Sequence, residues 1–281
     1  MSELRPQDVG SLGRRIVGTA GTTVVIALAY LFIFLPVVVL VLFSFHDGRV
    51  PVPPFQGPTL DWYKMILGDD RLMSATGHSV GIGLASAFLS TLLGFLAAFG
   101  LARHAVPGAG FLRWFLVLPL TVSYLIIGIG LLIALSYTGL PKSLLAVMIG
   151  HVVINLPLAF AICFSQLGGH QVVYERAARD LGASEGQVLM RITVPMMWPA
   201  LFASFCLCFT FSWDEFVIAF FLSNFDVTLP VEIWSMLRTG LNPMINAAGT
   251  LVFLLSLISF LAFEILIFGK RARHGRTAPE A

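Results

Sequence analysis

Apolar residues run almost without interruption through six stretches of this 281-residue chain, near 20–45, 76–102, 111–136, 143–166, 199–222 and 245–269. Each stretch reaches the roughly 20 residues that a helix needs to cross a bilayer, so each is predicted to be one membrane-spanning helix. In the second, Ser79, Gly83, Ser86, Ser90, Gly94 and Ala97 recur at steps of three or four, which lines small side chains along one helical face and lets a neighbouring helix approach closely. Tight packing is the expected role of that face. Pro119, Gly128 and Gly130 in the third stretch and Pro157 in the fourth predict kinks and close crossings. Between the first two stretches, residues 46–75 carry Pro51, Pro53, Pro54, Gly57 and Pro58 ahead of Asp61-Trp62-Tyr63, the signature of a structured loop or short helix at the outer surface. A second outer segment, 223–243, contains Trp234 and Arg238 and ends in Asn242-Pro243, a cap and first turn for the last helix.

Composition agrees with this pattern: 57% hydrophobic and 11% charged residues, with a mean hydropathy of +0.89, leave too little polar surface to cover a soluble globule. The fold class is all-α integral membrane protein. Most of the 17 basic residues, from Arg14 and Arg15 to Lys270, Arg271 and Arg273, fall before the first span or after the second, fourth and sixth. That asymmetry places these segments, and both termini, in the cytoplasm. Residues 1–19 then form a cytoplasmic N-terminal segment, 20–269 the transmembrane domain, and 270–281 a short cytoplasmic tail. The first apolar run is longer than a secretory h-region, and Pro36 is followed by further apolar residues, so it reads as a retained span. Topology accounts for the net charge of +2, which gives no ground for nucleic-acid binding. Cys163, Cys206 and Cys208 all fall inside spans, and Cys206-x-Cys208 lacks the partner ligands of a metal site, so the cysteines read as packing residues.

Two polar features interrupt the apolar background. From Glu175 to Pro199 the chain becomes charged and glycine-punctuated, with Arg176, Arg179 and Arg191 marking the cytoplasmic side; this island reads as a docking element. Asp214-Glu215 is the sharper internal signal. Counted from Trp198, Asp214 lies roughly 24 Å along a helix rising 1.5 Å per residue, where two carboxylates are costly unless they face water, a partner or a substrate. Adjacent residues point about 100° apart, so at most one of the two faces a narrow pathway squarely, Asp214 ahead of Glu215; the alternative is a structural pair satisfied by Arg238 or by helix ends. Glu264 can reach the inner interface near Lys270, and the isolated His78 and His151 read as hydrogen-bonded structure. Gly182-Ala183-Ser184-Glu185-Gly186 fits G-x-S-x-G, but a nucleophile elbow needs a strand before the serine and a sheet around it, which a loop between spans does not provide. None of Lys64, Lys142 and Lys270 completes a phosphate loop. The chain is therefore read as a non-enzyme without a cofactor of its own, and any ATP that drives it is bound by another chain.

Ala177-Ala178-Arg179-Asp180-Leu181-Gly182, followed after nine residues by Ile192-Thr193-Val194-Pro195, resembles the EAA loop of permease subunits of bacterial ABC importers. Ser212 to Ala219, Thr228-Leu229-Pro230 and Arg238 to Ala247 are similar to the second permease of spermidine/putrescine-type systems. The resemblance implies a multi-pass permease of the bacterial inner membrane with the type I importer fold. It works with ABC ATPase subunits that bind ATP and Mg, a second and different permease chain, and a periplasmic substrate-binding protein. The loop at about 172–195 becomes the coupling helix, with Glu175, Arg176, Ala177, Ala178, Asp180, Gly182 and Pro195 as ATPase-coupling residues; Asp214, Glu215, Trp213 and Tyr124 line the pathway of a small amine-bearing solute. Two positions depart from the family pattern. Arg176 stands where the glutamate is usual, with Glu175 one place earlier, so the salt bridge expected of that glutamate is absent or made from a shifted residue. Ser123-Tyr124 occupies the place of Pro-Asp in polyamine permeases, which removes a carboxylate from the pathway. The competing reading is a stand-alone secondary transporter or channel that uses Asp214 and Glu215 for ion coupling.

Overall fold

The computed structural model describes the backbone of residues 6–240 and 242–274, with side chains described for 21–169, 171–240 and 242–261. The architecture is all-α and multi-pass. Five helical runs are long and apolar enough to cross a membrane, Gly21–Phe43, Asp70–Arg103, Leu144–Gln166, Glu185–Trp213 and Pro243–Leu261; a sixth crossing is counted if the bent pair Ala109–Thr121 and Tyr124–Tyr137 forms one span. The side chains of Glu264 and Lys270 lie outside the described residues.

The chain divides into two units. One comprises Met1–Lys64 with Leu241–Thr250. It holds α1 (Pro6–Phe43) and the first turns of α12 (Pro243–His274), where Leu40 lies 3.3 Å from the place a Cβ on Gly249 would take. The expected outer loop is structured by side chains. Trp62 Nε1 donates to the His46 carbonyl at 2.7 Å, the Gln56 amide donates to His46 Nδ1 at 3.2 Å, and the Ser44 and Tyr63 hydroxyls share a 2.7 Å bond. It leads into the short helix α2 (Asp61–Gly68). The Asn242 side chain accepts from the Met244 amide at 2.9 Å, the cap expected for α12.

The other unit, Met65–Gly240 with Leu251–Ala281, is built on α3 (Asp70–Arg103), α6 (Leu144–Gln166) and α9 (Val194–Trp213). Asp69 starts α3 by accepting from the Arg71 and Leu72 amides at 3.0 and 3.1 Å. The predicted small-residue face is buried at Ser79, Gly83, Ser86, Ser90 and Gly94 and half-buried at Ala97. A Cβ on Gly94 would stand 2.7 Å from both Ala159 Cβ and the Phe160 amide nitrogen, so α3 and α6 touch there backbone to backbone. Cys163, Cys206 and Cys208 are free and buried, with Cys163 in a core that includes Phe95, Ala98, Phe160 and Met197.

Two predicted spans differ from single helices. The third is α4 (Ala109–Val117), a 3₁₀ turn over Leu118–Thr121, and α5 (Tyr124–Tyr137), bent by 108°. Pro119 lies inside that turn and has no N–H for an i→i−4 bond, so the break falls there. The fifth stops at Trp213 instead of running to 222, and a separate helix α10 (Val217–Leu222) follows. The Glu215 carboxylate accepts from the amides of Val217, Ile218 and Ala219 at 3.0, 2.8 and 3.2 Å. A residue counted on the face of one helix thus begins the next. The second outer segment contains α11 (Leu229–Thr239).

Candidate functional site

The charged island folds as α7 (Gly169–Asp180), a glycine turn, α8 (Glu185–Val188) and a π-helical segment, Leu189–Thr193, that runs into α9. Glu175 is fully buried. Arg103, the last residue of α3, donates to it through Nε at 2.7 Å and Nη2 at 3.2 Å, and Thr193 Oγ1 donates at 2.9 Å. A carboxylate removed from water is tolerated when charge and hydrogen bonds both satisfy it. Here the partners tie α7 to the end of α3 and to the π segment. The salt bridge of the shifted glutamate therefore runs within the chain. Arg113 pins the same end from α4: Nη2 donates to the Leu101 carbonyl at 3.2 Å, and its guanidinium lies 4.5 Å from the Phe164 ring centre.

Another side of α7 faces outward. Val173 and Leu181 are 66% and 89% exposed, and Arg176, Ala177 and Asp180 are exposed as well, while Ala178 is half-buried. Gly182 ends the helix at φ +85. Its amide donates to the Arg179 carbonyl at 2.9 Å and the Ala183 amide to the Ala178 carbonyl at 3.0 Å, the paired closure that wants glycine in the left-handed conformation. Arg179 then bridges the turn to Glu185 at 2.6 and 2.9 Å. Ser184, the centre of the G-x-S-x-G match, caps α8 reciprocally with Gln187. Pro195 is exposed in the first turn of α9, directly after the π segment.

At the C-terminal end of α9 the two carboxylates separate. Asp214 is exposed and accepts from Ser256 Oγ at 3.1 and 3.2 Å. Glu215 is 5% exposed and occupied with the start of α10. Trp213 is buried, donates to the Val252 carbonyl at 3.3 Å and stacks on Phe209. Tyr124 opens α5 and packs on the core around Ile218, whose amide donates to Glu215. Trp234 packs on Phe216, with ring centres 5.5 Å apart. The structure thus brings Tyr124 toward Glu215, while Trp213 and Asp214 make their bonds to α12. No ion pair joins Arg238 to either carboxylate among the described residues.

His151 is hydrogen-bonded, as expected, but not isolated. Ser86 Oγ donates to Ser212 Oγ at 2.9 Å, and Ser212 Oγ is 2.6 Å from His151 Nδ1. In that order of donation the ring proton sits on Nε2 and faces Glu215 Oε2 at 3.7 Å, too far for a hydrogen bond. His78 Nδ1 meets the Val227 carbonyl at 3.1 Å. Sequence reasoning missed Arg103, Thr193 and Ser256, and it read Ser86 as a packing residue and Ser212 as part of a family-like stretch, not as partners of His151. An arginine at the end of a span reads as a topology marker, and single hydroxyls in apolar runs carry no signal of their partners.

Residues 90–272 match the family described as "Binding-protein-dependent transport system inner membrane component". The chain is 31% identical over 248 residues to the spermidine/putrescine transport system permease protein PotC of Shigella flexneri, covering 88% of this chain and 93% of that protein. It is 32% identical over 259 residues to the putrescine transport system permease protein PotI of Escherichia coli K12, covering 89% and 92%. In fold it is similar to a chain of the bacterial alginate ABC transporter in complex with an alginate pentasaccharide-bound periplasmic protein, with a TM-score of 0.70 at 16% identity over 91% of this chain and 95% of that one. On this family match, the chain belongs to the binding-protein-dependent transport system inner membrane components and is a multi-pass permease subunit of an ABC-type importer in the bacterial inner membrane.

Proposed function

We propose that this chain is one of two different permeases of a type I importer, and that its 172–195 segment is the coupling element on which an ATPase subunit docks. In this reading 20–269 is the permease domain and 1–19 and 270–281 are cytoplasmic. A periplasmic binding protein delivers solute at the outer face, and the ATPase subunits hold ATP and Mg. The observation that carries the reading is the two-sided build of α7. Glu175 fastens its inner side to Arg103 and Thr193, and its other side presents Val173, Ala177 and Leu181 one turn apart to solvent. A helix latched to a spanning helix, yet carrying an apolar stripe on its free face, transmits a partner's movement instead of absorbing it.

Glu175 positions the coupling helix. Arg176, Ala177, Ala178 and Asp180 form or flank its docking side, and Gly182 and Pro195 set where the chain turns out and re-enters. In the pathway, exposed Asp214 meets solute and Tyr124 lines it from the start of α5, while Glu215 and Trp213 hold the α9–α10 junction. The cargo is a small amine-bearing solute, in keeping with the spermidine and putrescine named for the relatives. Placing an arginine at Ala178 in the reconstituted complex tests the coupling assignment. Uptake and substrate-stimulated ATP hydrolysis should both fall at least about tenfold at unchanged membrane abundance; normal levels of both would refute it. A stand-alone secondary transporter using Asp214 and Glu215 for ion coupling is disfavoured, because Glu215 is committed to backbone amides.

A further inference from the structure

Glu175 and Arg176 are neighbours in sequence and opposites in environment. Successive residues of a helix point about 100° apart, so the carboxylate that turns inward to Arg103 leaves the guanidinium of Arg176 on the exposed shoulder of α7. Arg176 makes no ion pair among the described residues, whereas Arg179 beside it is spent on Glu185. Asp180, a turn further on, is exposed but makes no bridge to Arg176. The docking side therefore shows an apolar stripe, Val173-Ala177-Leu181, with an unpaired cation at its edge.

We infer that the ATPase surface receiving α7 presents a carboxylate to Arg176, so that the charge of this contact is inverted relative to one made by a glutamate at that position. The inference rests on the coupling reading above and adds the chemistry of the partner. An exposed glutamate would call for a basic partner; an exposed arginine calls for an acidic one, and a basic residue facing it would repel. Guanidinium also binds carboxylate in a two-pronged fork, which would fix the rotation of α7 in an apolar cleft that by itself fixes only depth.

The test uses the complete importer with its cognate ATPase, purified from membranes and placed in nanodiscs of neutral lipid. Arg176→Glu should lower retained ATPase and coupled uptake at least about tenfold, while Arg176→Lys should keep both within about twofold. A carbodiimide, which joins an amine directly to a carboxylate, should link the lysine of Arg176→Lys to an aspartate or glutamate of the ATPase, located by peptide mass spectrometry. Full retention of the ATPase by Arg176→Glu overturns the inference, as does tighter retention. So does an Arg176→Lys lysine that forms no link to the ATPase, or a loss in Arg176→Glu that appears only when anionic lipid is supplied and so marks a headgroup contact. Leu181→Asp separates this inference from the reading beneath it. If Leu181→Asp releases the ATPase and Arg176→Glu does not, docking stands and the acidic contact fails; if Leu181→Asp holds the ATPase normally, docking at α7 fails and the contact with it.

Discussion

At the scale of single residues, the buried carboxylates divide the work by what satisfies them. Glu175 is held by a guanidinium and a hydroxyl, so removing it strands Arg103, whose side chain is 10% exposed. Breaking one side of such a pair costs roughly 3–5 kcal/mol, and replacing both sides with apolar groups costs far less. Glu175→Ala should therefore lower thermal stability in detergent sharply, and the double variant Arg103→Leu with Glu175→Leu should recover most of the loss. Equal destabilisation by the single and the double variant would contradict this account. Asp214 and Glu215 should part in the same way. Asp214, exposed and bonded to Ser256, should on conversion to Asn reduce uptake with abundance unchanged. Glu215→Gln keeps one acceptor oxygen for three amides and should reduce abundance and stability first. Comparing uptake with the amount of protein in the membrane distinguishes these outcomes, and unchanged uptake in Asp214→Asn would remove Asp214 from the pathway.

Among the elements, glycine acts at two places for different reasons. Gly94 has no room: any side chain meets Ala159 and the Phe160 backbone, so Gly94→Val should prevent α3 and α6 from closing and leave little folded protein. Gly182 has room, with nothing near its Cβ position, but a left-handed backbone. Gly182→Val should therefore cost only about 1–2 kcal/mol, insert normally and show its defect in ATPase stimulation; normal stimulation in that variant would deny the turn a role in coupling. The apolar runs, the small face of α3 and the cap at Asn242 were legible in sequence because each follows from local chemistry. A kink at Pro119 was expected, but not its size, since a missing N–H marks where a helix bends and not by how much; the break at Glu215 was not expected, since its carboxylate read as a charge on a helix face and only its bonds to the amides of the next helix mark it as a cap. The latch escaped for another reason: Arg103, Glu175 and Thr193 are far apart in the chain, and no local pattern pairs them.

For the molecule as a whole, the α3–α6–α9 unit joins the two polar regions through continuous helices, since α3 ends at Arg103 and contributes Ser86 to the chain that leads through Ser212 and His151 toward Glu215. Rigid elements with satisfied ends can carry a displacement from the α7 latch to the α9–α10 junction. On the proposed pathway, what passes that junction would be constrained by charge. With Glu215 occupied by backbone amides, Asp214 is the exposed carboxylate of the pair at this end of α9, and on the proposed pathway aromatic groups such as Tyr124 would supply further attraction for a cation. A solute bearing one or two ammonium groups suits that site better than a longer polycation, whose further charges would find no partner. In the proposed importer a binding protein would select the solute before the permease meets it, so calorimetry on that protein is the decisive measurement. It should show tight binding of putrescine or of a singly charged amine conjugate and weaker binding of spermine. Exclusive binding of a neutral sugar or an inorganic anion would overturn the cargo assignment and leave the permease fold and the coupling element as they stand.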